Sequence, residues 1–221
     1  KWGLDNDNLV PADFDGDGKT DFAVHRKSIA VPESGTWWIL RSTNLLPVVY
    51  RWASNNLGEF DSPVPTDFDS DGKADLAYYR RTDVVGQNGT YFVFNSSNST
   101  GSAFNWGVPS LNDRPVPADY DGDGRADYAV FRNGIWIIRS SSNGATITEQ
   151  FGLAGDKVVL GNFDGDLRAD LAVWRPSDET WYWRSSLDGQ TKYVRFGLSD
   201  DIPTADDYDG DGKTDIAVFR P

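Results

Sequence analysis

The 221-residue chain contains no cysteine and no methionine, and its one histidine is His25. Without thiols there are no disulfides, zinc–thiolate sites, iron–sulfur clusters or thiol chemistry, so something else must tie the loops together. No apolar run approaches the roughly 20 residues of a membrane-spanning helix, and nothing at Lys1 resembles a charged leader followed by an apolar core. With no initiator methionine, a processed mature form or a fragment is expected. Positive charge is scarce as well. Twenty-one Lys and Arg face 34 Asp and Glu, a net charge of −13, which argues against nucleic acid or an anionic membrane as partner because both need a basic face. No stretch shows the 3.6-residue periodicity of an amphipathic helix.

Aromatic residues are plentiful (9 Trp, 9 Tyr and 12 Phe), so the core must be built from rings and β-branched aliphatics, a mixture that favours strands. Self-comparison exposes a repeat. VPADFDGDGKTDFAVHR from Val10, VPTDFDSDGKADLAYYR from Val64, VPADYDGDGRADYAVFR from Val116, VLGNFDGDLRADLAVWR from Val159 and TADDYDGDGKTDIAVFR from Thr204 align without gaps. An aromatic segment with a small polar tail recurs four times, at 36–42, 90–97, 135–141 and 180–186. An aromatic residue followed by Gly or Ala closes each unit at Trp52, Trp106, Phe151 and Phe196, with a stray copy at Trp2–Gly3. The loops recur at steps of 54, 52, 43 and 45 residues, the period of a propeller blade rather than of a helical repeat. Alternating apolar and polar residues predict about four short strands per unit, with Ser-, Asn- and Gly-rich turns between them. The expected architecture is therefore all-β: one domain over 1–221, a β-propeller of five units at approximately 4–53, 54–107, 108–152, 153–197 and a partial 198–221. That fifth unit is incomplete, because the segment ends after its second strand.

Each loop presents oxygen ligands at the spacing of an EF-hand loop. In the first, Asp13, Asp15 and Asp17 take positions 1, 3 and 5, Lys19 offers its backbone carbonyl at position 7, and Asp21 takes position 9. Gly18 at position 6 permits the tight bend. The other sets are Asp67, Asp69, Asp71, Lys73 and Asp75; Asp119, Asp121, Asp123, Arg125 and Asp127; Asn162, Asp164, Asp166, Arg168 and Asp170; and Asp207, Asp209, Asp211, Lys213 and Asp215. A hard cation with six to eight oxygen ligands suits such a loop, so up to five Ca²⁺ are expected and zinc is excluded by ligand type. Turns alone need Asp and Gly, but not acids at fixed offsets in repeat after repeat. The Asn162 loop should bind most weakly, because Asn removes a charge and Leu167 stands where the bend glycine belongs. The loops hold nineteen Asp, and five divalent ions would bring the net charge from −13 to −3.

These loops and landmarks resemble the FG-GAP or VCBS repeat family, whose blades carry D-x-D-x-D-G-x-x-D loops between their first two strands, as in the integrin α-subunit propeller. The resemblance covers essentially the whole chain. It implies a secreted or surface-displayed propeller that holds calcium at one rim, through Asp13, Asp15, Asp17, Asp21 and their counterparts, and recognises partners with another surface. Family members include adhesion proteins and lectins, so fold does not fix function.

Among the remaining residues, His25 aligns with Tyr79, Phe131, Trp174 and Phe219 and reads as a ring-shaped filler. Arg26, Arg80, Arg132, Arg175 and Arg220 end the second strand of every unit and read as structural, stacking on aromatics or pairing with loop acids. Trp37, Trp38, Trp136, Trp181 and Trp183 read as core, with sugar stacking as the other use of such rings. Asn88, Asn95 and Asn98 are N-x-Ser/Thr sequons and would carry glycans on a secreted chain. No nucleophile elbow, phosphate loop or Ser–His pair is present, so no enzyme is expected. The reading is a calcium-stabilised extracellular structural or adhesive module that assembles into a filament by completing its fifth unit in trans. Its partners would be other copies of itself or an extracellular protein or glycan. The alternative is a carbohydrate-binding lectin with sites between blades, and the third an accessory domain of a larger secreted enzyme.

Overall fold

The computed structural model describes residues 3–4, 7–26, 35–52 and 61–220. They form four four-stranded antiparallel sheets in a β-propeller arrangement, plus one two-stranded sheet. The first sheet is β1 (Asn8–Leu9), β2 (Phe22–Arg26), β3 (Thr36–Leu40) and β4 (Pro47–Arg51); the second is β5 (Asp61–Pro63), β6 (Leu76–Arg80), β7 (Gly89–Phe94) and β8 (Gly101–Trp106). The third is β9 (Arg114–Pro115), β10 (Tyr128–Arg132), β11 (Ile135–Arg139) and β12 (Thr146–Gln150); the fourth is β13 (Lys157–Val159), β14 (Leu171–Arg175), β15 (Thr180–Arg184) and β16 (Thr191–Arg195). The fifth repeat contributes β17 (Ile202–Pro203) and β18 (Val218–Phe219), paired with each other. Each sheet is a simple meander in sequence order. Among the described residues there is no α-helix, only a 3₁₀ turn at Pro109–Leu111.

Meander order places the Asp loops, which join the first and second strands, on one rim together with the turns after the third strands. The second-to-third-strand turns and the crossings to the next sheet lie on the other rim. A cavity of 1710 Å³ is lined by the first strand of every repeat, including Val10, Val64, Val116, Val159 and Pro203. The core lies between sheets. Leu76 of the second sheet packs with Trp37 and Ile39 of the first, Ala126 with Tyr79 and Tyr91, Val173 with Phe131 and Trp136, and Val218 with Trp174 and Trp181. The third strands alternate to suit this: in β3 and β11 every second side chain is buried, whereas the outer strands β4 and β12 are largely exposed.

Two recurring polar ties hold the aromatic landmarks. The indole Nε1 of Trp37, Trp136 and Trp181 donates to the carbonyl of Trp52, Phe151 and Phe196 at 3.1, 2.8 and 2.9 Å. In the second sheet Tyr79 Oη fills that role toward the Trp106 carbonyl, at 3.0 Å. The Arg ending each second strand grips an aspartate nineteen residues earlier. Arg26–Asp7, Arg80–Asp61, Arg132–Asp113, Arg175–Asp156 and Arg220–Asp201 are all bidentate. These acids lie at or just before the first strands, not in the Asp loops, which corrects the expected pairing with loop acids. The expected stacking is present as well, with Arg26 over Trp38, Arg80 over Phe92 and Arg175 over Tyr182.

Trp136 is fully buried, so Trp136→Ala should cost about 4 kcal/mol through lost burial and the cavity left behind. Asp113→Ala, which strips the partner from a bidentate Arg132 on a fully buried carboxylate, should cost about 3 kcal/mol. Ile147→Ala on the exposed outer strand should stay within about 1 kcal/mol. Urea unfolding of the three variants checks the ranking.

Candidate metal centre

Each Asp loop is organised by its first carboxylate. Asp13 accepts the Gly16 and Gly18 amides at 2.6 and 2.8 Å, and Asp67, Asp119 and Asp207 accept the matching amides of their own loops at 2.6 to 2.9 Å. Folding the chain around one carboxylate in this way requires left-handed residues, supplied by Gly16 and Gly18 at φ of 80° and 81°. The position-9 aspartate is a staple. Its Oδ2 accepts the amide two residues into the same side of the loop, from Phe14, Phe68, Tyr120, Phe163 or Tyr208. In the first four repeats its Oδ1 accepts an amide of the third strand's polar tail, from Ser42, Ser96, Ser141 and Ser186.

The polar tails also steady positions 3 and 5. Ser42, Ser96, Ser141 and Ser186 donate hydroxyls to Asp17, Asp71, Asp123 and Asp166 at 2.8 to 2.9 Å, and Thr43, Ser97, Ser140 and Ser185 donate to Asp15, Asp69, Asp121 and Asp164. The sequence showed this tail without its purpose: its hydroxyls orient loop carboxylates.

The result is four carboxylate clusters whose ligand atoms lie within 4.8 Å of one another: Asp13–Asp15–Asp17, Asp67–Asp69–Asp71, Asp119–Asp121–Asp127 and Asp207–Asp209–Asp215. Oδ1 of Asp15 and of Asp69 is buried without a hydrogen-bond donor, which leaves each of these oxygens open to a cation or a water molecule. Burial raises Asp13, Asp67 and Asp119 against the pull of their amides, and pushes Asp75 up to about 6. At Asp121 burial is outweighed by the Ser140 and Ser142 hydroxyls, and the carboxyl is lowered. An all-oxygen, acid-rich donor set of this kind fits a hard divalent cation.

The loops are joined to one another. The position-8 amide of each donates to the position-1 carbonyl of the loop before: Ala74 to Asp13, Ala126 to Asp67, Ala169 to Asp119 and Thr214 to Asn162, at 2.6 to 2.8 Å. Thr20 closes the cycle by donating to Asp207 at 2.9 Å. The position-7 stems follow the same rule, with Lys73 lying over Gly16, Arg168 over Gly122, Lys213 over Gly165 and Lys19 over Gly210. At the closing junction Asp206, pushed up to about 6 by burial, accepts from Thr20.

The fourth loop stands apart. Its acids do not form one of the clusters among the described residues, and Leu167 adopts a left-handed φ of 76° with its side chain exposed. Elsewhere, His25 is buried against Trp37 at 4.9 Å, as a filler should be. Trp37, Trp136 and Trp181 are buried, and Trp38 and Trp183 are half-buried. Asn88 and Asn98 are exposed, while Asn95 begins the turn whose Ser96 and Ser97 hold the second loop.

No family model and no curated protein matches this chain. Among solved structures it is similar to a lectin from Agrocybe aegerita, described as specifically recognising non-reducing terminal N-acetylglucosamine. The two share 15% identity at a TM-score of 0.52, over 99% of this chain and 75% of the other. That likeness establishes a β-propeller fold.

The raised carboxyls fix the sign of a pH effect. A folded-state pKa of about 6 for Asp75 against 3.8 stabilises the cation-free protein below pH 3.8, and that contribution is lost as pH rises through 6. Asp7 and Asp201, held low by Arg26 and Arg220, act in the opposite sense and lose their contribution only below that range. In chelator, the melting temperature should therefore be higher at pH 5 than at pH 7, and saturating divalent cation should remove or reverse the difference. A melting temperature that climbs steadily from pH 5 to pH 7 in chelator contradicts this reading.

Proposed function

We propose that this chain is a non-catalytic, secreted carbohydrate-binding propeller of five units, four complete and a partial fifth, stapled by Ca²⁺ at the Asp loops. The cyclic loop-to-loop hydrogen bonding and the cavity lined by all five repeats support the five-unit ring. The clustered carboxylates with orphaned Asp15 and Asp69 oxygens support the metal; calcium rather than magnesium follows from the flexible, many-oxygen donor set. The candidate ligands are the position-1 and -3 aspartates of the first, second, third and fifth loops, joined by the position-5 aspartate in the first two and by the position-9 aspartate in the third and fifth, together with the position-7 carbonyls.

The observation that carries the sugar assignment is an exposed aromatic patch at the junction of the third and fourth sheets. Tyr193 on β16 is 72% exposed and lies 6.2 Å from the Tyr182 ring. Arg184 bridges to Glu149 and to the Gln150 carbonyl at one side, and Arg175 and Asp178 converge on Tyr182 at the other. An open aromatic face flanked by charged hydrogen-bonding groups is what a pyranose requires: its apolar face stacks and its hydroxyls bond at the ring edge. The lectin neighbour supports the same class. The sequons at Asn88 and Asn98 lie on exposed turns and would carry glycans in a secreted host.

A second reading, self-assembly, is favoured by one feature. β18 pairs only with β17 among the described strands, so its outer edge offers backbone groups to a strand from another chain.

A glycan array in calcium should show binding that free sugar competes away. Tyr193→Ala should weaken it at least tenfold while leaving the melting temperature within a degree or two. Sugar binding that Tyr193→Ala leaves unchanged would move the site elsewhere, and calcium-dependent polymers with no glycan binding would favour the second reading.

A further inference from the structure

We infer that the fourth loop carries its own cation, the Arg168 guanidinium, and takes no metal ion. This rests on the calcium reading of the other loops. Arg168 Nε and Nη2 donate to Asp166 Oδ2 at 3.1 and 2.8 Å, and Nη2 also donates to the Ser186 carbonyl at 2.7 Å. The guanidinium is thus held between the position-5 acid of its own loop and the turn after β15. The equivalent Arg125 behaves differently, turning to the Phe68 carbonyl of the preceding loop at 3.3 Å. Position 7 therefore does not impose an inward cation, and the fourth loop is a specific arrangement.

Every other side-chain oxygen in that loop already has a donor, as do those of the third loop, but here one of the donors is itself a cation. Asn162 Oδ1 accepts the Gly165 and Asp166 amides at 2.7 and 3.2 Å. Asp164 accepts the Asp166 amide and the Ser185 hydroxyl, and Asp170 accepts the Phe163 and Ser186 amides. The first two loops, by contrast, each leave a buried position-3 oxygen without a partner. A metal ion entering the fourth loop would have to displace a bidentate guanidinium and would meet a neutral amide at position 1, so both charge and coordination oppose it. Replacing Asp by Asn at position 1 and keeping Arg at position 7 are two halves of one change. One anion is removed and another is neutralised from within, which leaves the loop folded at any calcium concentration.

Native mass spectrometry of chelator-stripped protein titrated with CaCl₂ should show saturation at four ions. The triple variant Asn162→Asp, Leu167→Gly, Arg168→Lys, which restores the pattern of the other loops, should take five. As a second readout, Arg168→Ala should lower the melting temperature in EGTA by several degrees more than Lys73→Ala does, since both remove a stem but only Arg168 neutralises its own loop. Five ions of comparable affinity on the unmodified chain, or a triple variant that still takes four, overturns the inference while leaving the calcium reading intact. No bound ion at all overturns both.

Discussion

Everything on the Asp-loop rim depends on neutralising carboxylates packed a few ångströms apart. Nineteen of the 34 acidic residues belong to five short loops. Like charges at that spacing repel strongly, and burial makes the cost larger. Hydrogen bonding offsets part of it, because loop amides and the Ser and Thr hydroxyls of the third strands point at the carboxylates. What they leave over is visible as raised carboxyls and as the orphaned oxygens of Asp15 and Asp69. A divalent ion at the loops, as proposed, would answer that residue of charge, and binding it would become part of the folding free energy.

The same loops carry the contacts that order the sheets. Each hands a backbone hydrogen bond and a basic stem to the loop before it, so neutralising one loop steadies its neighbours. The opposite rim is held differently, by five Asp–Arg pairs that need no metal. Between the rims, buried rings fill the space between adjacent sheets, as Trp37, Trp136 and Trp181 do. With the proposed ions bound, one rim would depend on them and the other would not, leaving the exposed outer strands for recognition.

Much of this was legible in the sequence because it repeats. The strands, the loop spacing, the His25 filler and the oddity of Asn162 and Leu167 all follow from aligning five segments. The Asp–Arg pairs were equally regular, with Asp7, Asp61, Asp113, Asp156 and Asp201 each nineteen residues before an Arg. They were missed because the aligned blocks start at Val10 and its counterparts, three residues after each of these acids. The partners of Ser42 or Ser96 could not be read at all: a hydroxyl 25 residues from its acceptor leaves no local pattern. Arg168 is the same case, since only geometry distinguishes an arginine that turns into its own loop from one that turns to the loop before it, as Arg125 does. The Tyr193 patch depends on which face of the fourth sheet meets the third, which alternation alone does not fix.

The central claim, that cation-neutralised loops hold the ring together, is tested most directly by hydrogen–deuterium exchange at the amides of Thr20, Ala74, Ala126, Ala169 and Thr214. The account predicts strong protection at all five in calcium, and a marked loss on chelation at the amides that donate to metal-dependent loops, those of Thr20, Ala74, Ala126 and Ala169. Thr214, whose acceptor lies in the Arg168-held loop, should keep the most protection. Unchanged protection at all five amides after chelation would contradict the account.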